Sequence, residues 1–166
     1  MTRSAKGFPA AAAPTLLAMA VVLLLGATPS GMAAADEAAR PIAVVDGTTP
    51  GARTEILSLK RSEGGMLTLR YALVNASGDA IPFNHFPGCC GSAATTLVDY
   101  VNRKKYLVIT DSNGECLCTA IGNSLSNIDA PRRILFAKFP APPDSVSHIA
   151  VLFTGAEPVD DVPIDR

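Results

Sequence analysis

Between Met66 and Asn75 every second residue is a large hydrophobic one: Leu67, Leu69, Tyr71 and Leu73, with Thr68, Arg70 and Ala72 between them. A strand sends successive side chains to opposite faces, whereas a helix repeats every 3.6 residues. The alternation therefore fits a strand with one buried face and rejects a helix. Upstream lie the turn Glu63-Gly64-Gly65 and the segment Thr54 to Arg61, which holds Ile56, Leu57 and Leu59. Two such runs about a Gly-Gly turn predict a hairpin.

Five further segments have strand texture. Thr95 to Val101 and Lys104 to Thr110 meet at Asn102-Arg103, and the turn Asp111-Ser112-Asn113-Gly114 leads into Glu115 to Ala120. Arg133 to Phe139 and Val146 to Phe153 flank a turn over Pro140 to Asp144. The stretch from Ala76 to Ala94 carries Ser77-Gly78-Asp79, Pro82, Pro87 and Gly88, too many breakers for a regular element. No segment after the first 35 residues combines a helical period with caps. About seven short strands at regular spacing predict an all-β fold, an antiparallel immunoglobulin-like β-sandwich.

The first 35 residues follow a different logic. Arg3 and Lys6 precede an apolar run from Thr15 through Leu25, which ends at Gly26, Pro29 and Gly31 before Ala33-Ala34-Ala35. A basic start, an apolar middle and a small-x-small site make a signal peptide over 1–35, cut after Ala35. An uncleaved membrane anchor is the rival, opposed by Pro14 and by the cleavage site. With no Cys beside the cut, lipid attachment through an N-terminal Cys is not expected. The remaining chain is then secreted or periplasmic: a flexible linker over 36–53, aperiodic in Ala, Pro, Gly and Thr, and one domain over 54–166. Without Arg3 and Lys6, 12 of the 14 basic residues remain against 15 acidic ones, and Arg103-Lys104-Lys105 is the longest run of one sign. That balance gives no electrostatic basis for binding nucleic acid. No second apolar run reaches spanning length, so no stable membrane span is expected after cleavage.

Export sets the expected state of Cys89, Cys90, Cys116 and Cys118, because thiols pair in oxidising compartments. Four cysteines allow three full pairings, and the sequence leaves the choice open. Residues i and i+2 of a strand share a face and adjacent residues do not, so a bent backbone at 88–91 is needed for both bridges to reach one face. Gly88 and Gly91 permit that bend. Cross-links from the 89/90 loop to the 116/118 strand are the expectation. The alternative is a Zn or Cu site from His85, Cys89, Cys90, Cys116 and Cys118, since thiolate and imidazole suit both metals. The spacing opposes it, with one pair adjacent and the other separated by a single residue instead of a Cys-x2-4-Cys knuckle. A second alternative is a thiol-disulfide redox protein, though no Cys-x-x-Cys opens a helix here.

Four short motifs occur in order: Leu97-Val98-Asp99-Tyr100, Arg103-Lys104-Lys105-Tyr106, Asp111-x-x-Gly114-x-Cys116-Leu117-Cys118 and Phe139-Pro140-Ala141-Pro142-Pro143. Over roughly 54–164 this succession resembles a group of small exported bacterial domains with immunoglobulin-like folds and uncharacterised function. The resemblance implies a bacterial, extracytoplasmic setting. It brings no catalytic residues with it, and the Cys89-Cys90 pair is not among the features of the group.

Other constellations favour structure over chemistry. Asp111 to Glu115 has the oxygen donors that begin a calcium loop but lacks the later ones, and Asn-Gly is the ordinary choice for a tight hairpin turn. There is no Gly-x-Ser-x-Gly elbow, and neither His85 nor His148 stands beside an orienting carboxylate in sequence. His148 falls out of phase with Ile149, Val151 and Phe153, as an exposed strand residue does. Asp160-Asp161 sits in a Pro-flanked tail and reads as solvated. The sequon Asn75-Ala76-Ser77 is expected to go unused in a bacterium. The composite expectation is a non-enzymatic exported domain with no cofactor, stabilised by disulfides and binding a protein or cell-envelope partner.

Overall fold

The computed structural model describes residues 40–91, 94–119, 127–128 and 131–166. The expected leader lies outside them, as do residues 36–39 of the expected linker. Among the described residues, ten strands run in chain order: β1 (Ala43–Asp46), β2 (Ala52–Ser62), β3 (Met66–Asn75), β4 (Ile81–Pro82), β5 (Thr96–Asp99), β6 (Lys104–Tyr106), β7 (Asn127–Ile128), β8 (Arg132–Pro140), β9 (His148–Leu152) and β10 (Val159–Pro163). They build two four-stranded sheets, β1-β2-β3-β8 and β10-β9-β5-β6, and a two-stranded patch, β4-β7. All pairings between these strands are antiparallel.

The β2–β3 hairpin turns through Gly64 and Gly65, whose φ values of 77° and 70° suit glycine. Leu67, Leu69, Tyr71 and Leu73 of β3 are all buried, as their alternation requires. On β2 the phase of burial changes. Thr54 and Ile56 face inward, and then Leu59 does, because the register slips between Ile56 and Ser58 and leaves Leu57 as a bulge. An extra residue switches which face the following side chains occupy, so both halves of β2 serve one core. That core joins the sheets: Ile56, Leu59, Leu69, Tyr71 and Phe139 from one pack with Leu97, Ile149, Val151 and Val162 from the other. Tyr71 and Phe153 meet across it, ring centroids 5.6 Å apart.

The long strands β2 and β8 are flanked on their outer sides by other parts of the chain. Along β2, β1 pairs with Arg53–Ile56, and beyond the bulge Asp165 takes over in parallel, through Asp165 N–H to Leu59 O and Arg61 N–H to Asp165 O. On the opposite side, β8 is met by the segment after β6: Lys138 accepts from Ile109 N–H and donates to Leu117 O, and Thr119 N–H donates to Phe136 O. Unpaired strand edges recruit other strands, and on β2 and β8 these backbone groups are used internally.

Several local expectations change. Ala43–Asp46, expected within a flexible linker, is an edge strand. The tail around Asp160-Asp161 is β10, with both carboxylates exposed at a register shift and Asp161 at φ 59°. Glu115 to Ala120 is not a strand: Cys116 and Cys118 make isolated bridges only, and Ala120 lies outside the described residues. The reason is a tight turn at Leu117, where Cys118 N–H bonds Cys116 O at 2.9 Å. Among the described residues no helix is long and apolar enough to cross a membrane.

Candidate functional site

The four cysteines converge where the irregular loop after β4 meets the hairpin after β6. In the loop, a 3-10 turn over Phe83–His85 is closed by Phe86 N–H to Phe83 O, and the buried Phe86 anchors it in the core. Downstream, the Gly88 carbonyl accepts from both Thr95 N–H and Thr95 Oγ1, each at 3.0 Å. Thr95 is fully buried and also hydrogen-bonds the hydroxyl of Tyr71. A chain of contacts therefore runs from the core tyrosine to the residue before Cys89. Burial pushes the Tyr71 hydroxyl up to about 12, the Thr95 bond opposing the shift.

The opposing hairpin is folded by one carboxylate. Asp111 Oδ1 accepts from the backbone N–H of Glu115 at 2.9 Å and of Asn113 at 2.8 Å, while Asp111 N–H donates to Glu115 O at 2.8 Å. These backbone bonds, Glu115 first, hold the exposed carboxyl below the usual carboxylate range. Gly114 closes the turn at φ 84°. The segment suspected of beginning a calcium loop spends its acceptors on its own backbone.

Two bridges join the halves, Cys89–Cys118 and Cys90–Cys116, each spanning 6.3 Å between Cα atoms. They are not equivalent. Cys89 and Cys118 pack against the core, whereas Cys90 is exposed. The adjacent residues reach different partners because the loop bends at Gly88–Gly91, where Gly91 has φ 70°. The turn at Leu117 does the same for Cys116 and Cys118. The sulfurs nonetheless crowd together: Cys90 Sγ lies 3.6 Å from Cys89 Sγ and 3.7 Å from Cys118 Sγ. Cys89, Cys90 and Cys118 have all three sulfurs within 4.8 Å of one another, a group that includes neither Cys116 nor His85. His85 instead bonds Thr49 through Nδ1 at 2.5 Å. The five-residue metal set expected as the alternative is therefore not assembled. With no free cysteine among the four, the thiolates such a site needs are already consumed.

His148 is exposed on β9, its Nδ1 3.0 Å from Ser147 Oγ, as its phase predicts. Three polar residues that fix chain geometry, only Thr95 of them at the cysteine site, carry little sequence signal. Thr95 is one. Asn75, noticed only as a sequon, is buried: its Nδ2 donates to Asp79 O and Ile128 O, and its Oδ1 accepts from Ser77 N–H and Oγ. The third, Arg61, donates to the carbonyls of Pro142 (2.7 Å), Pro143 (2.9 Å) and Val146 (3.0 Å), and pairs with Asp144 at 3.4 Å. An arginine ending an apolar-patterned strand opposite a Pro-rich turn was the one available hint. No family model, curated protein or solved structure matches this chain.

Proposed function

We infer that this protein is an exported, non-catalytic bacterial domain of immunoglobulin-like type that works in the cell envelope or outside the cell as a rigid binding or structural module. The paired bridge between the 89/90 loop and the 116–118 turn carries the reading. Bridges of this kind persist where thiols are kept oxidised, and the leader at 1–35 supplies the route there. The two four-stranded antiparallel sheets over one core agree with the sandwich architecture.

Three polar groups are committed to backbone: Arg61 to a turn, Asp111 to a hairpin, Asn75 to a loop. That is the economy of a scaffold, in which charged and amide groups fix chain geometry instead of facing a substrate. The test is expression of the full chain in a bacterium, fractionation, and N-terminal sequencing with a thiol count on the exported protein. A processed product beginning at Asp36, with no thiol titrated after denaturation, is expected. Retention in the cytoplasm with four titratable thiols overturns the proposal.

A further inference from the structure

The nested arrangement of the bridges has a chemical use. We propose that the four cysteines form a thiol-disulfide exchange site, in which the exposed Cys90 passes the cross-link from the outer bridge to the inner one when a protein dithiol attacks. The proposal rests on the reading of the cysteines as native disulfides. It adds an activity to that reading.

Geometry gives each sulfur a different role. Cys90 Sγ lies beside the Cys89–Cys118 bond, 3.6 and 3.7 Å from its two sulfurs, so once released from Cys116 it has only to swing into line with that bond. Cys116 is outside that contact group. The inner bridge is half-buried against the core, while the outer bridge joins the half-buried Cys116 to the exposed Cys90 and lies beside Leu117, itself 39% exposed. An incoming thiolate therefore meets the outer bridge first.

Exchange proceeds by attack of a thiolate on one sulfur and departure of the other. The incoming thiolate bonds Cys116 Sγ, the Cys90–Cys116 bond breaks, and Cys90 leaves as the thiolate. Cys90 then bonds Cys118 Sγ, and the Cys89–Cys118 bond breaks with its electron pair on Cys89, which takes a proton from water. The second thiol of the attacking dithiol, after losing its proton to water, closes on its partner sulfur and releases Cys116 as a thiolate, which is protonated in turn. The balance is one dithiol oxidised to a disulfide and one protein disulfide reduced, two electrons and two protons moved. The chain is left with Cys90–Cys118 and two thiols at Cys89 and Cys116. Attack at Cys90 frees Cys116 instead, and a sulfur outside the cluster can only close the bond again.

The vicinal pair is what permits this. Cys89 and Cys90 hang on one short loop, so trading one for the other as the partner of Cys118 moves the backbone little. The partner is identified by chemistry alone: an accessible pair of thiols on a folding or oxidoreductase-like protein outside the cytoplasm.

Two measurements test it, each read by alkylation and tandem mass spectrometry that cleaves between residues 89 and 90. In Cys116→Ser the single unpaired thiol should be shared, with at least about a tenth of the label on Cys89, the share expected when two isomers differ by less than tenfold in equilibrium constant. Should that variant misfold, wild-type protein treated with less than one equivalent of dithiothreitol gives the same information. Label at Cys89 and Cys116 with a Cys90–Cys118 cross-link is expected there. Label confined to Cys90 in the variant, or to Cys90 and Cys116 in the wild type, overturns the proposal while leaving the native disulfides in place. Free thiols before any treatment defeat the disulfide reading itself.

Discussion

Tyr71 does two jobs with one side chain: its ring fills the core against Phe153, and its hydroxyl meets Thr95, which in turn holds the Gly88 carbonyl. A buried hydroxyl with a partner is worth about 1 kcal/mol, and a partner stranded by mutation costs about 1–3 kcal/mol. The same burial makes the residue an alkaline sensor. Its acid form is favoured in the folded state, so its contribution is complete below the unfolded value near 10 and is lost as pH rises from there through about 12. Over that window roughly 3 kcal/mol of stability should disappear. Denaturant midpoints measured from pH 9 to 12 should fall more steeply for the wild type than for Tyr71→Phe, and equal slopes would contradict this account. The alternating pattern announced that Tyr71 was inward. It held no sign that the hydroxyl organises the cysteine loop, because Thr95 is far from Tyr71 in sequence and reads as one more strand residue.

Among the elements, the Pro140–Val146 turn between β8 and β9 depends most on a group outside itself. Val146 N–H closes part of this turn on the Pro143 carbonyl at 2.9 Å, but the prolines have no N–H to add further bonds, and the Pro142 carbonyl takes its donor from another strand. Arg61 reaches three of the turn's carbonyls with one planar guanidinium. Charge-assisted bonds are worth about 1.5–3 kcal/mol each in mutational series and are not additive within one group. Arg61→Ala should lower stability by about 2–4 kcal/mol and speed amide exchange at Val146. Arg61→Lys should recover less than half, since an ammonium cannot match the fork; full recovery would show that charge alone suffices. The turn itself was legible from its prolines, and the long strands from their periodicity. The short pairings β1, β4, β7 and β10 were not, because two to five residues carry too little pattern to rise above a loop. The cysteine turn at 116–118 was misread as a strand for a related reason: a three-residue kink leaves no trace in composition.

For the whole molecule, the two bridges close nearly the same loop, with sequence separations of 29 and 26 residues. Their effects therefore do not add like those of independent cross-links. With one bridge present the long loop is already closed, and the other only tightens a ring of a few residues. In the chain-entropy description the first bridge removed costs roughly 2 kcal/mol and the second roughly 3–4 kcal/mol. Urea midpoints for Cys90→Ser/Cys116→Ser, and then for the protein with all four cysteines replaced, measure both steps. A larger loss at the first step than at the second would rule out nested closure. The sequence exposed the cysteines and, through export, their oxidation; the inner and outer character of the bridges came only from where the core lies.

The last consequence concerns β2. Ile42 N–H bonds Ile56 O, and Asp165 N–H bonds Leu59 O, so the first and last backbone pairings of the described residues meet β2 three positions apart. At about 3.3 Å per residue the two pairings are within roughly 10 Å. Splicing the domain into a surface loop of a larger protein requires no stretching of the host, and a short linker from Asp165 to Ile42 should give a circular permutant with the same core.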